Sequence, residues 1–133
     1  MNKPLILKLW SLCMGGMDAC TGLLLVFAPA LVLRLLGIAP PAGEGLVFVS
    51  WIGIFVMSVG LSYGLALGGN ASRGEAVWIF TALVSTMVAA FLTIKCLGGS
   101  LAVAWLVVAA SDAFVAAGQW VILRLGWWRE VRG

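Results

Sequence analysis

The chain has 133 residues, of which 63% are hydrophobic and 10% charged, with a net charge of +3. Soluble domains carry about 25% charged residues, so these few charges cannot cover a globular surface. A mean hydropathy of +1.14 makes lipid the natural solvent.

The length suits one domain, 1–133. The basic residues are scattered at segment ends, with no run of them interleaved with aromatics, which excludes the usual nucleic-acid interface. There is no histidine and no Cys-x-x-Cys motif, so zinc, histidine-ligated haem and thioredoxin-type redox chemistry lack their usual ligands. Cys13 and Cys20 stand two turns apart on one helix face, roughly 10 Å along the axis, too far to bridge. The methionines, among them Met14, Met17, Met57 and Met87, have no metal-specific spacing and read as gap fillers.

A bilayer core needs about 20 helical residues, and four segments supply them. The first covers about 5–28. Lys3 and Lys8 before an apolar run look like a signal peptide, but the run outlasts the ~7–15 residues of such a segment, so it reads as a retained helix. Pro29 interrupts it and suits the first turn of a short interfacial helix, about 30–36. Gly37, Pro40, Pro41, Gly43 and Gly45 then mark a loop. The second span is 46–67, closed by Gly68, Gly69 and Asn70. Ser72 precedes Glu75 by three, a capping-box spacing that would open the third span, 76–97. Gly98, Gly99 and Ser100 form a turn, and the fourth span is 101–125, stopped by Gly126. The tail WWREVRG reads as an interfacial anchor.

Four spans put both termini and the middle loop on one side. That side holds Lys3, Lys8, Arg73, Arg124, Arg129 and Arg132, six against Arg34 and Lys95 on the other. The positive-inside rule therefore predicts cytoplasmic termini and a multi-pass protein of the cytoplasmic membrane. Short loops favour antiparallel neighbours. The expected fold is all-α, an up-down-up-down transmembrane four-helix bundle.

Each span carries a stripe of small or polar residues at helical spacing: Ser11, Gly15, Asp18 and Gly22; Ser50, Gly53, Met57, Gly60 and Gly64; Trp78, Thr81, Ser85 and Ala89; Trp105, Ala109, Asp112, Ala116 and Gln119. Small residues let membrane helices approach closely, so Gly15, Gly22, Gly53, Gly60 and Gly64 are expected at helix contacts. Ordinary packing accounts for most of these stripes.

Asp18 and Asp112 fall near the midpoints of their spans. A carboxylate at the bilayer centre costs roughly 2.5–3.5 kcal/mol on insertion scales. Two of them facing each other cannot both ionise cheaply, and such a pair can share a proton, bind a cation or hydrogen-bond a ligand. The bland alternative makes each Asp a neutral hydrogen-bonding group between helices. Ser85, Tyr63, Gln119 and Trp105 are the further candidates for a polar pocket, although an interfacial tyrosine and a packing glutamine are the plainer roles of Tyr63 and Gln119. Trp10, Trp51, Trp78, Trp127 and Trp128 fit aromatic belts. Without histidine no nucleophile–base–orienter set can be assembled, which leans away from an enzyme.

At GLLLVFAPALVLRLLGI, Gly22 to Ile38, the chain resembles small bacterial four-span membrane proteins of the DoxX-like group. The resemblance implies a bacterial inner-membrane location and either an accessory subunit of a quinone-linked oxidoreductase or a quinone-binding role. It carries over no catalytic residue.

Three readings compete. The first, favoured by default, is a non-catalytic accessory or scaffold subunit that docks on a membrane-protein partner. The second is a binding module for a lipophilic small molecule, a quinone or a lipid, with Asp18 and Asp112 in its site. The third is a proton- or cation-coupled transporter acting as a homodimer.

Overall fold

A computed structural model describes residues 1–132. These residues form helices α1 (Lys3–Phe27), α2 (Pro29–Leu35), α3 (Glu44–Gly68), α4 (Ala71–Leu97), α5 (Leu106–Arg124) and α6 (Trp127–Glu130), with a single 3₁₀ turn, Val103–Trp105, leading into α5. There is no strand among the described residues. Four segments are long and apolar enough to cross a membrane: Lys3–Phe27, Glu44–Gly68, Ala71–Leu97 and Val103–Arg124, of 25, 25, 27 and 22 residues.

Several helix ends follow from local chemistry. The Asn2 side chain accepts from the Leu5 N–H and caps α1. Ala28 leaves the helical region, and Pro29 opens α2 as its first residue, where a missing N–H costs nothing. The capping box expected at Ser72 and Glu75 does not form. Asn70 caps α4 by accepting from the Arg73 N–H at 2.9 Å, so the helix begins at Ala71. Glu75 is thereby free for other partners. α5 also begins later than expected, because the chain after the Gly99 turn first makes the 3₁₀ turn.

The closest helix contact is α1 against α3, followed by α4 against α5; α3 and α4 join these two pairs more loosely. Glycine explains the first contact. A Cβ on Gly22 would lie 2.6 Å from the Gly53 carbonyl oxygen, and one on Gly15 would lie 2.9 Å from the Gly60 carbonyl oxygen. The reciprocal approaches are as tight: a Cβ on Gly53 would meet the Gly22 carbonyl oxygen at 2.8 Å, and one on Gly60 the Gly15 carbonyl oxygen at 2.7 Å. The two helices therefore meet backbone to backbone at two levels, Gly15 with Gly60 and Gly22 with Gly53. Lipid gives no hydrophobic drive for helix association, so close contact of this kind supplies the attraction. Gly64 does not share it: a Cβ there meets nothing, and the residue is exposed.

Tryptophan rings do the equivalent work elsewhere. A Cβ on Gly118 of α5 would lie 2.5 Å from the Trp10 ring of α1, and one on Gly74 of α4 would overlap the Trp128 ring of α6. Trp10, Trp78 and Trp128 thus face the interior rather than an aromatic belt, because glycine notches and the Ser11 hydroxyl receive them. Trp51 is exposed on α3. The core cluster of Leu7, Tyr63, Ala66, Val77, Trp78 and Trp128 collects at one end of the molecule.

Candidate functional site

The interior can be followed inward from that end along α4, where Gly74, Trp78, Thr81 and Ser85 succeed one another on one face. At the level of Gly74 sits Trp128, 6% exposed. One turn deeper, the Trp78 indole N–H donates to Ser11 Oγ at 2.9 Å, which joins α4 to α1. Trp10 flanks the same ring, with centroids 6.1 Å apart, and stacks on Phe114 of α5 at 6.0 Å.

The next level is a three-helix hydrogen-bond knot. Gln119 of α5 donates through Nε2 to the Tyr63 hydroxyl of α3 at 2.8 Å and to Thr81 Oγ1 of α4 at 3.2 Å. Thr81 in turn donates to the Val77 carbonyl at 2.9 Å. Gln119, Tyr63 and Thr81 are all buried. Tyr63 is therefore neither interfacial nor at a pocket mouth; its ring packs against α1 at Gly15 and its hydroxyl serves the knot. A buried amide left without partners would cost a few kcal/mol in an apolar medium, and the knot avoids that.

Asp18 and Asp112 lie beyond the knot. They are close enough for the charge of one to act on the other, and both act on the Tyr63 hydroxyl. Ser85 of α4 faces Asp112. Both aspartates are half-buried, whereas Ser85 is buried. They come from α1 and α5, which do not approach closely along their backbones. Trp10 fills that gap toward the core end, through Phe114 and Gly118. The carboxyls stand half-buried past the Gln119 knot, on the side where α1 and α5 keep apart. Every Lys and Arg of the chain lies in the first two or last two turns of a helix or outside the spanning segments, so no fixed positive charge is at hand for the pair. No group of three or more His, Cys, Asp or Glu side chains is placed to hold a metal ion among the described residues.

Of the sequence-derived candidates, Asp18, Asp112, Ser85, Tyr63 and Gln119 come together. Trp105 does not; it stands in the 3₁₀ turn about two helical turns before Asp112. Sequence reasoning placed Ser11, Trp78 and Thr81 on inward stripes without making them part of a site, and it missed the seats of Trp10 and Trp128. The available signal was Gly74 and Gly118, single glycines inside otherwise helical runs.

The best-formed surface hollows are shallow. One is apolar and lies along α1 beside Ile6, Leu9, Trp10, Cys13 and Met14. The other follows the outer α1–α3 groove past Gly16, Ala19, Gly60, Leu61 and Gly64. No protein-family model, curated protein or solved structure matches this chain.

Proposed function

We propose that this chain is a multi-pass protein of the bacterial inner membrane, an up-down-up-down bundle with both termini in the cytoplasm, that binds a lipophilic small molecule at Asp18 and Asp112. The observation that carries the reading is the placement of these two half-buried carboxyls, from the first and last spanning helices, within electrostatic reach of each other, with Tyr63 and Ser85 near them and no basic side chain at hand. Intramembrane acids are costly and usually mark a pathway or a ligand site. A carboxyl that keeps its proton donates one hydrogen bond and accepts others, which suits the carbonyl oxygens of a quinone or a lipid. Both carboxyls are partly exposed where α1 and α5 keep apart, so such a ligand would arrive from the bilayer.

Native mass spectrometry of the protein, extracted gently from its own membrane, tests this. A defined small mass on the wild type that is lost in Asp18→Asn supports the reading. A bare protein that also resists a lipophilic carbodiimide at both aspartates sinks it.

The outer α1–α3 groove favours a second reading, the accessory subunit. Gly16, Ala19, Gly60 and Gly64 line it and would admit a helix of a partner protein; a stoichiometric larger assembly in the same spectrum would move this reading to the front. A bare dimer would favour proton- or cation-coupled transport, with the aspartates as the coupling site.

A further inference from the structure

Gly126 ends α5 with φ at +70°, a backbone conformation that turns the chain back over the core end and that other residues adopt only with strain. The four-residue α6 that follows spends nearly every side chain on other helices. Glu130 pairs with Lys3 in the first turn of α1, and the Lys3 ammonium also stands 5.8 Å from the Trp127 ring. Arg129 and, just beyond α6, Arg132 pair with Glu75 of α4, at 3.3 and 2.5 Å. Trp128 fills the Gly74 notch and meets Trp78 edge-on at 5.6 Å. All ion pairs among the described residues belong to this one element or its continuation.

These ties are of a kind that lets go. A helix of four residues has no stability of its own. Ion pairs with exposed partners are weak and screened by salt, and the Arg129 side chain is 75% exposed. The Trp128 indole N–H, like that of Trp10, is buried with no hydrogen-bond partner in the protein. The seated state carries an unmet donor, and lifting the ring to the membrane interface satisfies it.

We propose that α6 is a strap that closes the core end of the bundle and lifts about Gly126, opening the column beneath it, from Leu7 and Trp78 down to the Gln119 knot, to water from that side. Its use as a gate to Asp18 and Asp112 rests on the reading of those residues as a binding site; the strap itself does not. Seated, it leaves the partly exposed side between α1 and α5 as the route to the carboxyls. Lifted, it adds a route for water and protons from the strap side.

The test uses the full chain in lipid nanodiscs, with Cys13, Cys20 and Cys96 replaced by Ala and a single reporter, Leu7→Cys. Leu7 is 1% exposed and packs in the cluster that Trp128 caps. Its reaction rate with a water-soluble maleimide is expected to rise at least tenfold in Trp128→Ala. It is expected to rise several-fold in the double variant Glu75→Gln, Glu130→Gln, which removes the ion pairs without opening a cavity. Raising the salt concentration should speed the parent and leave the double variant unchanged. Equal rates in the parent and the double variant overturn the strap, whatever Trp128→Ala does to folding. Carbodiimide modification of Asp18 in the same samples separates the two ideas. Maleimide acceleration with unreactive aspartates keeps the strap and discards the site. Reactive aspartates with a constant maleimide rate keep the site and discard the strap.

Discussion

Trp78 and Ser11 stand 67 positions apart in the chain, and their side chains meet at 2.9 Å in the interior, indole N–H to hydroxyl oxygen. The bond connects α4 of one close-packed pair of helices to α1 of the other, where backbone contact is sparse. Hydrogen bonds between membrane helices measure ~0.6 kcal/mol on average and ~1.7 kcal/mol at most in double-mutant cycles. Trp78 is fully buried, which places this bond above the average. A cycle of Ser11→Ala with Trp78→Phe, read by reversible unfolding in mixed micelles, is expected to return a coupling of about 1 kcal/mol. A coupling near zero would show that ring packing alone holds the level together.

The glycine contacts between α1 and α3 predict a sharp positional contrast. A methyl at Gly22 or Gly60 runs into backbone atoms of the facing helix, and backbone cannot turn aside as a side chain does. Gly22→Ala and Gly60→Ala are each expected to cost about 1–3 kcal/mol, the usual range for overpacking. Gly16→Ala and Gly64→Ala meet open space and should stay within about 0.5 kcal/mol of the parent. Thermal unfolding in one detergent, with all four variants side by side, measures this. Equal losses at the four positions would contradict the contact.

Much of this layout was legible in the sequence, because a stripe of small and polar residues can face only other helices once lipid surrounds the rest. That argument put Gly15, Gly22, Gly53 and Gly60 on contact faces and Ser11, Thr81, Ser85 and Gln119 on inward ones. It failed at Gly64, which shares the spacing but stands on the open side of the α1–α3 groove, where a Cβ meets nothing. Spacing fixes a face of a helix, not how close the neighbour comes at each level. The tryptophans failed for another reason. Trp10, Trp78 and Trp128 lie near span ends, where interfacial belts are common; the α4 stripe did carry Trp78, but the inward seats of all three depend on Gly118, Ser11 and Gly74, which stand 108, 67 and 54 positions away in the chain. Nothing local announces such a partner. The encounter of Asp18 with Asp112 was conditional in the sequence, since it required the first and last spans to be neighbours.

The start of α4 offers a check on capping. Asn70 accepts from the Arg73 N–H, and Ser72 makes no such bond. Asn70→Ala is expected to lose about 1 kcal/mol, the typical worth of an N-cap. Ser72→Ala should be neutral, which thermal unfolding would show. The opposite order would restore the Ser72–Glu75 capping box.

The carboxyl pair gives the test that separates use from packing. If Asp18 and Asp112 served only to hold helices together, their neutral isosteres would still carry an acceptor and a donor, but the particular geometry would be lost and stability would fall. If they are kept for a ligand or a proton, they are a burden on the fold: an acid at mid-membrane is costly, and α1 and α5 gain little backbone contact around it. Asp18→Asn and Asp112→Asn are therefore expected to unfold at the same temperature as the parent or higher, while losing the bound small mass and the reaction with carbodiimide. Ser85→Ala should sit between, with stability little changed and carbodiimide reactivity altered at Asp112 alone, since Ser85 faces that residue. A loss of more than about 1 kcal/mol in both Asn variants, set against the ~0.6 kcal/mol average of interhelical hydrogen bonds, would mark the aspartates as structural ties and withdraw the binding site.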